Sequence, residues 1–73
     1  MTLADLAAWV KENGTTLRVE HFNGEFYVVS TWKHITVSRS DPELETVLAR
    51  IVKDIDRWIV NEREYAQRRL EQP

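Results

Sequence analysis

The sequence predicts a two-layer α+β domain of order αβββα, in which a three-stranded antiparallel sheet carries both helices on one face. Three observations carry this reading. Leu17, Val19, Phe26 and Val28 alternate with polar or mixed residues between Thr16 and Ser38, the period of strands with one buried face. Asn23-Gly24 sits between two such runs, and Asn-Gly supplies the positive φ that a two-residue hairpin turn needs. Segments with apolar residues at helical spacing flank the alternating stretch on both sides. The expected boundaries are a helix over 2–13, strands within 15–38 and a long C-terminal helix over 41–70, all in a single domain over 1–73.

The first helix follows from its caps. Thr2 and Asp5 form a capping-box pair, and Gly14 supplies a left-handed residue at the other end. Leu3, Leu6, Ala7 and Val10 make an apolar stripe, with Trp9 on its flank. A helix this short is marginal alone and must dock.

The two-residue turn at Asn23-Gly24 sets a register of Phe22 with Glu25, His21 with Phe26, Glu20 with Tyr27, Val19 with Val28 and Arg18 with Val29. One face then carries Leu17, Val19, His21, Phe26 and Val28; the other carries Arg18, Glu20, Phe22, Glu25, Tyr27 and Val29. A slip of one residue would exchange the faces. The first face, free of formal charge, is the expected core. A third strand follows if Lys33-His34 forms the next turn. Trp32 then pairs with Ile35 and Ser30 with Val37, all on the core face. Lys-His is a poor type I′ turn, so a looser loop is the alternative.

Ser40 with Glu43 reads as the capping box of the second helix, with Pro42 in its first turn. Leu44, Val47, Leu48, Ile51, Val52, Ile55, Trp58 and Ile59 form its apolar stripe; Glu45, Ala49, Arg50, Lys53, Asp56 and Arg57 form a solvated face. Unbroken from Pro42 to Leu70, this helix would span about 43 Å at 1.5 Å per residue. Strands of about six residues reach only about 20 Å. The end must project, kink near Asn61 or pack on another chain. The expected core is Leu6, Val10, Leu17, Val19, Phe26, Val28, Ile35, Leu48, Ile51, Ile55 and Trp58.

Composition narrows the function. Seventy-three residues bury a small core, and the absence of cysteine removes disulfides and thiolate metal sites. That absence fits a cytoplasmic protein. There is no signal-peptide pattern and no apolar run near the roughly 20 residues of a membrane span, so no membrane association is expected. Ten basic and twelve acidic residues give a net charge of −2, unlike the clustered basic surface of a general nucleic-acid binder. His21 and His34 fall at opposite ends of the sheet, too far apart to share a metal ion. Asp54 and Asp56 do not share a helix face. No glycine-rich phosphate loop or nucleophile motif occurs. The expectation is a protein that is not an enzyme and has no cofactor, no metal and no catalytic residues.

Two surfaces are candidates for partner binding. The first is the open sheet face, where Phe22, Tyr27 and Val29 stand beside Arg18. Apolar side chains ringed by charge suit a protein interface; the alternative is that a loop or chain end covers them or that cross-strand pairing alone accounts for them. The second is the end of the long helix, where Arg63, Arg68 and Arg69 could meet carboxylate or phosphate. A solvated, mixed-charge helix end is its plainer reading. Trp32 and Trp58 lie on apolar faces and read as core; Trp9 divides evenly between core and contact.

The layout of a capped helix, Gly14-x-x-Leu17-x-Val19, a turn at Gly24, Phe26-x-Val28 and a long closing helix resembles small bacteriophage-encoded accessory proteins of the host-takeover type. The likeness covers most of the chain and is one of layout, with no site motif to carry across. It implies a stoichiometric binder that inhibits or regulates a host complex such as RNA polymerase, working in the host cytoplasm. The rival expectations are a nucleic-acid-binding accessory protein, stacking on the aromatics and holding phosphate with the arginines, and a structural subunit that self-associates through the long helix, a monomer or a helix-mediated dimer being open.

Overall fold

A computed structural model describes residues 2–71. Helix α1 (Leu3–Asn13) is followed by strands β1 (Thr16–Phe22), β2 (Glu25–Trp32) and β3 (Ile35–Asp41) and by helix α2 (Leu44–Glu71). The strands form one antiparallel sheet in the order β1-β2-β3. The helices lie on one face of it.

Local chemistry explains most of the elements. Thr2 caps α1: its hydroxyl accepts from the Asp5 N–H while the Asp5 carboxylate accepts from the Thr2 N–H. Gly14, at φ 64°, closes the helix, and its N–H donates to the Val10 carbonyl. Asn23 and Gly24, at φ 51° and 76°, make the β1–β2 turn. The register is Phe22↔Glu25 through Thr16↔Thr31, with no bulge. Lys33-His34 does form a two-residue turn, with Trp32 facing Ile35 and Ser30 facing Val37. Lys33 takes φ 55°, an uncommon value for a side chain of its size. Its ammonium lies 4.8 Å from the Trp32 ring centroid and 2.6 Å from Glu62 Oε1, which ties the turn to α2.

The start of α2 departs from expectation. Ser40 does not cap it, because β3 runs on to Asp41, which pairs with Phe26. Instead the Asp41 carboxylate accepts from the Glu43 N–H at 2.9 Å, Pro42 lies before the helix, and the helix begins at Leu44. The strand region is accordingly 16–41 rather than 15–38.

α2 lies across β2 and β3. Val28, Val47 and Ile51 form one buried cluster, joined by Leu17, Phe26, Val37, Leu44 and Leu48. Trp32, Ile55 and Ile59 form a second, joined by Trp9, Ile35 and Val37. Of the expected core residues, Val10, Leu17, Phe26, Ile35 and Leu48 are half-buried and two are exposed. Val19 is 44 % exposed because α2 does not reach over β1, and Trp58 is 49 % exposed because it sits on the flank of α2, beside Val37 and Arg39. Val47, Val52 and Ile59 take the inward positions. On α1 only Leu6 of the expected stripe is fully buried; Val10 is half-buried, and Leu3 and Ala7 face solvent.

α2 continues unbroken through Asn61, and every residue from Val60 to Leu70 is exposed. At about 42 Å the helix outruns the sheet, and its end projects. The molecule measures 54 × 22 × 17 Å as a result.

Candidate functional site

The open sheet face is built by the alternation of the strands. Because Val28, Ser30 and Trp32 point into the helix layer, Tyr27, Val29 and Thr31 must point away from it. The Asn-Gly register then lines up Phe22 with Glu25, Glu20 with Tyr27, and Arg18 with Val29 on that same side. β3 adds Thr36, Ser38 and Ser40 opposite Thr31, Val29 and Tyr27. None of the described residues covers this face. Phe22 is 65 % exposed and Tyr27 39 %, while Val29, in the middle strand, is half-buried between its neighbours.

Arg18 and Glu20 lie on one strand and pair at 2.9 Å along its surface. With Tyr27 and Val29 they line a shallow depression of about 360 Å³. Both charged groups are mostly in water, so the pair orients the arginine rather than adding much stability. At the other end of the face, the hydroxyls of Thr16 and Thr31 are hydrogen-bonded to each other. The site therefore offers aromatic edges near the Asn-Gly turn, a charge pair in the centre and hydroxyls beyond. It holds no buried titratable group.

Arg18, Phe22, Tyr27 and Val29 thus come together as the strand pattern predicts. Arg63, Arg68 and Arg69 do not join them. All three are exposed on the projecting part of α2. Arg63 lines a cleft in the helix layer with Glu12, Asn13, Trp32 and Glu62, and the Arg69 guanidinium lies 5.9 Å from the Tyr65 ring.

His21 is exposed, its ring centroid 4.5 Å from that of Phe26. His34 lies in the turn at the far end of the sheet. No group of three or more His, Asp or Glu side chains among the described residues is arranged to hold a metal ion, and no helix among them is long and apolar enough to cross a membrane.

Two features escape the sequence pattern. Leu3, 84 % exposed, and Leu6 line a groove of about 470 Å³ with Leu48 and Ala49, where the first turn of α1 stands off from α2. The free edge of β1 is the second. Both depend on how far the helix layer extends sideways, which periodicity does not encode. Comparison of the chain with known protein families, characterised proteins and solved structures finds no match.

Proposed function

We propose that this chain is a non-enzymatic protein-binding module that receives its partner on the open sheet face. One observation carries the reading: Phe22 and Tyr27 stand exposed around the Arg18–Glu20 pair on a face that none of the described residues covers. Aromatic residues and arginine are the side chains most enriched where proteins bind each other. In a domain this small, leaving them in water forgoes core that stability could use. The matching surface would present an apolar centre for Phe22, Tyr27 and Val29 and a carboxylate for Arg18. The likeness in layout to phage accessory proteins makes a host complex the natural source of that surface, and binding there would regulate or inhibit it from within the host cytoplasm.

A protein partner is favoured over nucleic acid because the aromatics and the arginine cluster lie on different surfaces. Stacking on Phe22 and Tyr27 would then have Arg18 alone beside it for phosphate contact, with Arg63, Arg68 and Arg69 on the projecting helix end.

Affinity capture from the native host, followed by mass spectrometry, tests the reading with a matched variant. Phe22→Ser/Tyr27→Ser should keep the circular dichroism and melting temperature of the parent and lose the captured protein. Undiminished capture would remove the sheet face as the site. Capture that weakens steeply with salt and is abolished by nuclease would move the reading to nucleic acid.

A further inference from the structure

We propose that the outer edge of β1 pairs with β1 of a second copy of this chain, antiparallel and about a two-fold axis at Val19, to make a continuous six-stranded sheet. The proposal uses the strand edge rather than the sheet face and does not depend on the partner reading above.

β1 is an edge strand, paired on one side only. It is seven residues long, pairs with β2 without a bulge and contains neither proline nor lysine; its two charges, Arg18 and Glu20, are of opposite sign and so need not repel a second strand. Phe22 and Glu25 flank a two-residue turn and so exchange backbone hydrogen bonds. Alternation from that pair turns the N–H and C=O groups of Leu17, Val19 and His21 outward, away from β2. α2 covers β2 and β3 and leaves this edge clear.

Charge selects both the occupant and the register. A two-fold axis perpendicular to the sheet keeps each side chain on its own face, so the pairing must centre on a residue. Centring on Arg18 sets Arg18 against itself, and centring on Glu20 sets Glu20 against itself; like charges directly opposite are destabilising. Centring on Val19 sets Arg18 opposite Glu20 of the second copy, twice. These are non-hydrogen-bonded positions, where side chains come closest, with Cα atoms about 4.5 Å apart. Arg18 and Glu20 already pair at 2.9 Å within one strand, so the dimer would join them into a ring of four alternating charges. The same register sets Leu17 against His21 and Val19 against itself, and gives all seven residues of β1 a partner. It also covers Val19, the apolar side chain on the helix side that its own helices leave 44 % exposed.

The opposite edge has no such match. Its charged residues, Arg39 and Asp41, are engaged by α2: Arg39 Nε lies 2.8 Å from Asp54 Oδ2, and Asp41 Oδ2 lies 3.7 Å from Arg50.

Sedimentation equilibrium over a series up to about 1 mM, backed by circular dichroism, tests the pairing. The parent mass should rise from 8.6 kDa toward twice that value. Arg18→Glu and Glu20→Arg should each fold and dimerise about ten-fold or more weakly, because two attractive cross-strand pairs become repulsive. Mixing the two variants in equal amounts should restore the dimer, since a strand with two glutamates then faces a strand with two arginines. The double reversal Arg18→Glu/Glu20→Arg in one chain should restore it as well. Val19→Pro removes an N–H that points outward, so it should leave the hairpin folded and abolish the dimer. A parent that stays at 8.6 kDa throughout overturns the proposal. So does a dimer indifferent to both single reversals, which would place the contact elsewhere, or a mixture of the two variants that fails to associate.

Discussion

Trp9 Nε1 donates to Asp56 Oδ1 at 2.8 Å, the only side-chain hydrogen bond between α1 and α2 among the described residues. Leu6 is the sole fully buried residue of α1, so the indole anchors the C-terminal half of that helix. Trp9→Phe keeps most of the packing and loses the bond, and should cost about 1 kcal/mol in urea unfolding. Trp9→Ala should cost about 2–3 kcal/mol. Hydrogen exchange should show the added loss of protection concentrated in α1, with the sheet and α2 less affected.

Thr15 and Ser30 are both buried hydroxyls, with opposite expected responses. Ser30 Oγ donates to the Thr16 carbonyl at 2.8 Å, so Ser30→Ala should destabilise by about 1 kcal/mol. Thr15 Oγ1 is buried with no hydrogen-bond partner among the described residues. Thr15→Val keeps the shape and removes that polar atom, and should raise stability by about 1 kcal/mol. Thermal melts of the two variants should shift in opposite directions.

Ile55 and Trp58 lie three residues apart on α2 and differ sharply in burial. Ile55→Ala opens a cavity in a fully enclosed site and should cost about 3–4 kcal/mol, much of the stability of a domain this size. Trp58→Ala removes a half-exposed ring and should cost about 1 kcal/mol. Equal losses in denaturant unfolding would mean that the sheet grips another face of α2.

Removal of residues 64–73 should leave the melting temperature within a few degrees of the parent. The described side chains in that segment, Glu64 to Leu70, are all exposed. The far-ultraviolet helical signal should fall with the lost turns, while the Lys33–Glu62 pair is retained.

The Asp5 carboxyl is held below its ordinary pKa of 3.8, first by the Thr2 N–H and then by the Thr2 hydroxyl. A depressed carboxylate stabilises the folded state above the unfolded-chain value, and the benefit is lost as pH falls through the lower, folded one. Acid below 3.8 should therefore fray the first turn of α1. A carboxyl titration by nuclear magnetic resonance should place Asp5 below that value, and Asp5→Asn should remove the acid step from α1 exchange.

How much of this could be read beforehand follows from how local each signal is. The β1–β2 register was legible because Asn23-Gly24 encodes it in two residues. The β2–β3 register was legible less directly, through agreement of Trp32, Ile35 and Val37 on one face. The cap of α1 was equally local. The cap of α2 was not: Ser40 and Asp41 compete for it, and strand pairing with Phe26 decided the outcome. Val19 and Trp58 were misplaced because alternation and helical period say which way a side chain points, but not where across the sheet the helix will lie. The open face inherited the certainty of the hairpin. Its companion at the helix end had no such anchor, and the arginines stand apart from it.

The projecting end of α2 also governs how the molecule moves through water. A particle 54 Å long and 17 Å across drags more solvent than a sphere of the same mass and tumbles more slowly about its short axes. On a sizing column it would elute ahead of compact standards and imitate a larger species. Light scattering or sedimentation equilibrium, which do not depend on outline, would weigh it correctly.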